Sequence, residues 1–367
     1  MNNTLSYEGI QGELISQLNK RHSENYYQEL REILNNIISM IKESQTVNAG
    51  DDESISISSV SICKKMEDDS EILLRFVDYY LSGNISSCYN AFQRWWRGKR
   101  IDYYDEKYKT SIFYRMREKK NRDDNFSYKD LLHIPFDLRG IITNQRYSIC
   151  GYPCLYVSTS LYQTWEELRR PYLQNLYAVA IRFTENLSLF DMRLKRDIMS
   201  EKQLRCYLQR LLLIIACSVK VKNDNDPFKP EYIIPQTLLH TIIRNKIDGI
   251  LYSSMRKDFS FYNDEQWDFS KNENVVIPVK SNLDKGHCNQ LQRIMEVSNS
   301  LNLEQEMIKG NIMAGKAIKY ENTLLGQLES ELKTVPSHFL IASDGIKDKI
   351  GLGLNNRSKL KIEHLLK

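Results

Sequence analysis

A chain of 367 residues that is 41% hydrophobic, 10% aromatic and 27% charged has ample material for a packed core, which excludes global disorder. Its formal net charge of +4 is too mild to imply a nucleic-acid partner by itself. Seven cysteines, an odd number with no Cys-x-x-Cys and no regular spacing, exclude a disulfide framework and argue against a structural zinc site.

The first residues, Met1-Asn2-Asn3-Thr4, carry no basic segment followed by an apolar one, so no secretion signal is expected. The longest apolar run, residues 211–217, is far shorter than the roughly 20 residues of a membrane span. A cytoplasmic protein without a membrane partner is the expectation.

Residues 1–45 are predicted helical. Leu30, Ile33, Leu34, Ile37, Ile38 and Ile41 recur at i, i+3 and i+4, and this apolar face must bury itself against other helices. The polar, Ser-rich residues 46–60 read as an exposed loop or linker. Helices are expected again over residues 68–80 and 87–96. The run 94–100 interleaves cations with Trp95 and Trp96. Nucleic-acid patches have that character. The favoured reading is a helix end with tryptophans packed inward and cations at the negative end of the helix dipole.

From residue 111 the pattern becomes strand-like. Strands are predicted over 112–117, 154–158, 178–183, 187–190, 249–252 and 274–278. Ser200 and Gln203 match a capping box that opens a helix through Cys217, and residues 232–245 predict another. This mixture gives an α+β domain. After residue 280 the pattern reads as helical, over 290–301 and 304–332, and ends in a basic tail. The expected organisation is a helical module over 1–105, a mixed domain over 106–280 and a helical extension over 281–367.

Within the mixed domain, residues 146–167 concentrate the chemistry. Arg146 precedes a Gly151-Tyr152-Pro153 turn, the strand 154–158 follows, and Ser160 caps a helix carrying Glu166 and Glu167. A cation, a phenol and a carboxylate leave one strand–loop–helix unit, a set suited to an anionic, ribose-containing ligand. Other motifs carry less. Gly310-Asn-Ile-Met-Ala-Gly315-Lys316-Ala317 approaches a phosphate-binding loop but ends in Ala where a Ser or Thr would hold magnesium. Arg357 and His364 lie in the basic tail, where solvated residues are the better reading. His133, amid apolar residues, reads as a hydrogen-bonded core histidine.

Tyr114-Arg115, then His133-Ile134-Pro135-Phe136, then Arg146-Tyr147-Ser148-x-x-Gly151-x-Pro153-x-Leu155-Tyr156-x-Ser158, then Glu167, resembles the RES domain in order and spacing. The later Asp248-Gly249-Ile250-Leu251-Tyr252-Ser253-Ser254-x-Arg256 resembles that domain's closing motif. The resemblance covers residues 110–280, under half of the chain. It implies an ADP-ribosyltransferase-like mixed β core, here with helical N- and C-terminal extensions. The characterised members of that family are bacterial toxins that consume NAD by hydrolysis, phosphorolysis or transfer of ADP-ribose. Arg146, Glu167 and Ser254 match the arginine, glutamate and serine of the family name, with Tyr156 as the aromatic partner. Arg146, Tyr156 and Glu167 are thereby implied as catalytic. Arg115, a further arginine on the first strand, joins Ser254, Tyr147 and Ser158 as implied contacts to NAD.

The residue types suit that chemistry. Cleaving the nicotinamide–ribose bond places positive charge on the sugar, which a carboxylate beneath it stabilises, and an arginine fork suits a diphosphate. No metal is required. Taken singly, each residue has a plainer role: Tyr156 in a core strand, Glu166 and Glu167 on a solvated helix face, Arg146 in a surface ion pair, Ser253 and Ser254 in a turn. Their joint spacing favours the functional reading. Two departures stand out. Ser148 occupies a position where many RES domains carry Asn, and Gln163-Thr164-Trp165-Glu166 replaces a run of small residues. The doubled carboxylate leaves Glu166 and Glu167 both open. Neighbours on a helix point about 100° apart, so only one can face a site, and spacing favours Glu167.

The resemblance therefore implies an NAD-degrading toxin or anti-phage defence effector, with NAD as substrate and an inhibitory antitoxin or regulatory protein as partner. The extensions would gate the site, oligomerise the chain or bind that regulator. The alternatives are an ADP-ribosyltransferase acting on a macromolecule and a non-catalytic nucleotide- or protein-binding module. A nucleic-acid partner is not expected.

Overall fold

The computed structural model describes residues 4–20, 25–49, 52–98, 111–121, 123–194, 198–254, 273–305, 324–334 and 339–341. The near-phosphate-loop at Gly310, Arg256, Lys99, Arg100, Arg357, His364 and the basic tail lie outside the described residues.

The chain begins with β1 (Thr4–Ser6), α1 (Tyr7–Asn19), α2 (Tyr26–Glu43), β2 (Thr46–Ala49), β3 (Asp52–Ser58), α3 (Val60–Leu81) and α4 (Ile85–Arg97). It continues with β4 (Ile112–Glu118), β5 (Cys154–Ser158), α5 (Leu161–Glu167), β6 (Leu176–Phe183), β7 (Leu189–Met192), α6 (Glu201–Ser218) and α7 (Ile233–Arg244). The remaining elements are β8 (Gly249–Ser253), β9 (Glu273–Pro278), α8 (Asn289–Arg293), β10 (Met295–Ser298), β11 (Leu301–Asn302), α9 (Leu324–Thr334) and β12 (Phe339–Ile341). The fold is α+β. One sheet runs β12-β10-β6-β4-β5-β9-β8-β7, with β11 also paired to β6, and a separate small sheet runs β1-β2-β3. In the large sheet β7 and β8 are parallel and the other pairs antiparallel.

The periodicity of α2 is realised: Leu30, Ile33, Leu34, Ile37, Ile38 and Ile41 are all buried, and Asn25 caps the helix by accepting from the Tyr27 N–H. α6 begins at the Ser200 cap, where Oγ accepts from the Gln203 N–H at 3.3 Å. The Gln203 side chain reaches back one residue further than a capping box requires, accepting from the Met199 N–H at 2.7 Å. α6 is buried on nearly every side because it lies within a core shared by the N-terminal helices and one face of β7–β9, through Phe190, Ile250 and Val276. Trp96 is buried against Phe190, and the Trp95 indole donates to Asp69, as the inward-packed reading of that helix end requires.

Two expectations are corrected. Residues 46–60 are not a loop: β2 and β3 pair antiparallel, with Val47 opposite Ile57, both buried. Ser-rich composition masked the alternation Ser54-Ile55-Ser56-Ile57-Ser58, which has the period of a strand. Residues 290–301 are not one helix. α8 ends at Arg293, and β10 joins the large sheet beside β6. Glu296, the charged member of that strand, sits opposite Arg182 and pairs with it at 2.8 Å.

Candidate functional site

The large sheet is nearly divided in its middle. β4 pairs with β6 over seven residues, from Ile112 to Glu118, yet meets β5 only where Tyr114 lies opposite Ser158. Beyond that bridge the two strands part, and a cleft of about 1250 Å³ opens between them. That exceeds the ~300–1,000 Å³ of ordinary small-ligand pockets. Across the split, Arg115 Nη1 donates to the Tyr156 carbonyl at 2.7 Å.

Glu167 ends α5, a seven-residue helix whose N-terminus is fixed by the Ser160 cap. Its carboxylate is not turned to bulk water. Oε1 accepts from Ser254 Oγ at 2.6 Å, Asn274 Nδ2 at 2.6 Å and Gln163 Nε2 at 3.0 Å. Ser254 lies 87 residues away in sequence, just past β8, so the two motif halves meet through their side chains. Glu166 points elsewhere. It is buried and engaged by Arg170 Nε at 2.9 and 3.0 Å from its two oxygens. Glu167 is thus the carboxylate of α5 that joins Ser254 and Asn274.

Tyr156 stands on the cleft wall, half-buried, with its hydroxyl 2.9 Å from Ser148 Oγ. Burial, with Cys154 and Tyr252 beside it, pushes the phenol well above its usual range, so it is neutral at physiological pH. Arg146 lines the same cleft. Its Nη1 donates to the carbonyls of Cys217 at 2.8 Å and Val219 at 2.9 Å, which ties the 146–148 loop to the C-terminal end of α6. Arg115 is half-buried with its Nε unpartnered. Burial, then the nearby Arg117, lowers its guanidinium to about 10, which leaves it charged. Among the described residues, neither Arg115 nor Arg146 has a carboxylate partner, whereas the rim cations Arg169 and Arg170 pair with Asp224 and Glu166.

Ser158 lines the cleft too, but its hydroxyl donates to Asn274 Oδ1 at 2.6 Å. Tyr147 lies apart from the lining. It is buried beneath the cleft with its ring 4.7 Å from that of Tyr252, which does line it. The structure therefore brings Arg115, Arg146, Tyr156, Ser158 and Glu167 to one cleft, sets Ser254 against Glu167, and places Tyr147 in the supporting core. Asn274 was not singled out from the sequence. Its signal is a polar residue heading the otherwise apolar Val275-Val276-Ile277, and it is 2% exposed. His133 is a core residue: Nδ1 lies 2.8 Å from the Ile134 carbonyl, and Nε2 accepts from the Cys288 N–H at 2.8 Å.

No protein-family model matches the chain. Among the described residues no helix is long and apolar enough to cross a membrane. A solved structure, the Mycobacterium tuberculosis MbcT–MbcA toxin–antitoxin complex, aligns over 54% of this chain and 88% of the matched chain. Its identity of 14% and TM-score of 0.28 establish no common fold. A Bacillus subtilis (strain 168) protein named "Putative toxin YopC" is 28% identical over 268 residues. That alignment takes in 64% of this chain, which spans 58% of the relative's length.

Proposed function

We propose that this chain is an NAD-degrading enzyme of the RES type that cleaves the nicotinamide–ribose bond. One observation carries the reading. Glu167, anchored by Ser254 and Asn274, opens onto the same cleft as Arg115 and Arg146, two guanidiniums with no carboxylate partner among the described residues. A charged, half-buried group without a counter-ion is costly unless a ligand supplies one. A diphosphate offers two negative charges and oxygens spaced for a guanidinium fork.

With the diphosphate on the arginines, the adjoining ribose falls to the carboxylate. The C–N bond to nicotinamide breaks, its electron pair leaves with the neutral base, and C1′ gains positive charge. Glu167 stabilises that charge while an acceptor oxygen bonds to C1′, and where the acceptor is water the carboxylate takes the proton it loses. Tyr156, neutral and on the wall, offers a ring face to the leaving base and a hydrogen bond through the Ser148 pair. The relative named as a toxin accords with an enzyme that drains a central cofactor. Unrestrained NAD loss would harm the host, so an inhibitory protein partner belongs to the same proposal.

Purified protein incubated with NAD, with and without phosphate and lysate, tests this by mass spectrometry. Free nicotinamide with ADP-ribose indicates water as acceptor, ADP-ribose phosphate indicates phosphate, and a protein adduct indicates transfer. Intact NAD under all three conditions, from a folded protein, refutes cleavage.

A further inference from the structure

We infer that Asn274 is a positioning residue: its amide, itself oriented by Ser158, fixes the Glu167 carboxylate in the cleft. The inference rests on the reading of Glu167 as the group that meets the sugar. It reassigns Ser158 from ligand contact to support.

The pairing is written into the sheet. Ser158 and Asn274 are register partners across β5 and β9, so their side chains rise side by side on one face. Ser158 Oγ donates to Asn274 Oδ1 at 2.6 Å, and Asn274 Nδ2 donates to Glu167 Oε1 at 2.6 Å. Both residues are nearly sealed from solvent, with Ser158 4% and Asn274 2% exposed, so losing either bond leaves a buried polar atom poorly compensated. An amide has two orientations. The one observed presents its donor to the carboxylate, while the reverse would set two acceptor oxygens against each other. The Ser158 hydroxyl, by donating to Oδ1, completes the observed orientation.

The strand end is held as well. Thr159 N donates to the Glu273 carbonyl at 2.9 Å, and Glu273 N donates to Thr159 Oγ1 at 3.0 Å. The Glu273 side chain is engaged by Arg193 at 2.9 Å, so the neighbouring acid has its own counter-ion rather than competing for Asn274. Ser254, just past β8, and Gln163, on α5 itself, also donate to Oε1.

Two readouts test this, one of them independent of NAD. In the full-length protein the Asn274 side-chain amide, assigned with Asn274→Leu, should give a downfield, slowly exchanging proton resonance. That resonance should move upfield in Glu167→Gln and lose its protection in Ser158→Ala. A resonance indifferent to both substitutions overturns the inference. In NAD turnover, Asn274→Leu should lower kcat about 100-fold with KM nearly unchanged, the scale of a misplaced catalytic group. Ser158→Ala should lower kcat about tenfold, the scale of one hydrogen bond. Combined, the two should cost no more than Asn274→Leu alone, and multiplying losses overturn the relay. Asn274→Asp, close in size but without the donor, serves if leucine prevents folding. The expected resonance shifts in a wild-type protein that leaves NAD intact would uphold the positioning and refute the proposed reaction.

Discussion

Adjacent carboxylates on one helix give the sharpest discrimination. Glu167→Gln keeps an acceptor oxygen for Ser254, Asn274 and Gln163, so the fold should hold while the charge is lost. Preorganised electrostatic groups of this kind contribute about 10²–10³ in kcat, which is ~3–4 kcal/mol at 1.36 kcal/mol per tenfold. Glu166→Gln removes charge from the contact with Arg170, whose side chain is 56% exposed, so solvent screens much of the attraction. Pairs of that kind contribute at most about 1 kcal/mol, or a melting shift of about 1 °C for a chain of 367 residues. Nicotinamide release by the two purified variants should therefore fall at least 100-fold for Glu167→Gln and stay within about threefold for Glu166→Gln. Equal inactivity of both folded variants would refute the assignment of Glu167 as the acting carboxylate. So would a Glu167→Gln enzyme within about threefold of wild type.

Arg115→Met should raise KM for NAD about 10–100-fold, the value of a charged hydrogen bond. kcat should change little, and an unaltered KM would remove Arg115 from the binding surface. Gly249→Ala should lower the melting temperature, because a Cβ there would lie 2.5 Å from the Val276 carbonyl oxygen and force β8 from β9. Overpacking of this kind costs about 1–3 kcal/mol, about 1–4 °C for a chain of 367 residues, and a melting temperature and denaturant midpoint both unchanged from wild type would contradict it. His133 is held down to about 4 by burial. Below its unfolded value near 6.5 the unfolded chain takes up a proton that the folded chain refuses, so stability falls with acidification. At pH 5 the loss is about 2 kcal/mol. Denaturant midpoints at pH 7 and pH 5 should show that decline in wild type and a shallower one in His133→Gln.

Much of the fold could be read from periodicity. The strand at Cys154–Ser158, the Ser160 cap and the apolar stripe of α2 all stand where their patterns put them. Those signals are local, set by side-chain period and capping chemistry. The failures were local signals outweighed by context. Serine between isoleucines hid β3, and Ile294, Val297 and Leu301 imitated a helical face where β10 satisfies the open side of β6. Around the cleft, the resemblance pointed to Arg146, Tyr156, Glu167 and Ser254, three of which line it while the fourth bonds Glu167. It could not place Asn274, whose contacts with Ser158 and Glu167 depend on the register of β5 against β9. Nor could it show that Tyr147 turns inward, because the faces of residues 146–148 are set by the tie from Arg146 to α6.

The helical extensions are part of the site's mechanics. α5 has seven residues, too few to be stable as an isolated helix. Its first turn is completed from the far end of the chain, where Glu329 of α9 accepts from the Leu161 N–H, a favourable charge at a helix N-terminus. Leu325, Leu328 and Leu332 of α9 pack in one cluster with Leu161. The position of Glu167 thus depends on a helix more than 150 residues downstream. Elsewhere on the cleft, Arg146 is tied to the end of α6, and α6 shares its core with α1, α2 and α3. The C-terminal helix thus packs behind Glu167 and the N-terminal helices behind α6, while β4 and β5 touch at a single bridge. Glu167 is gripped from both directions, by α9 behind α5 and by Ser254 and Asn274 at the ends of β8 and β9, so these contacts jointly set where its carboxylate lies relative to Arg146.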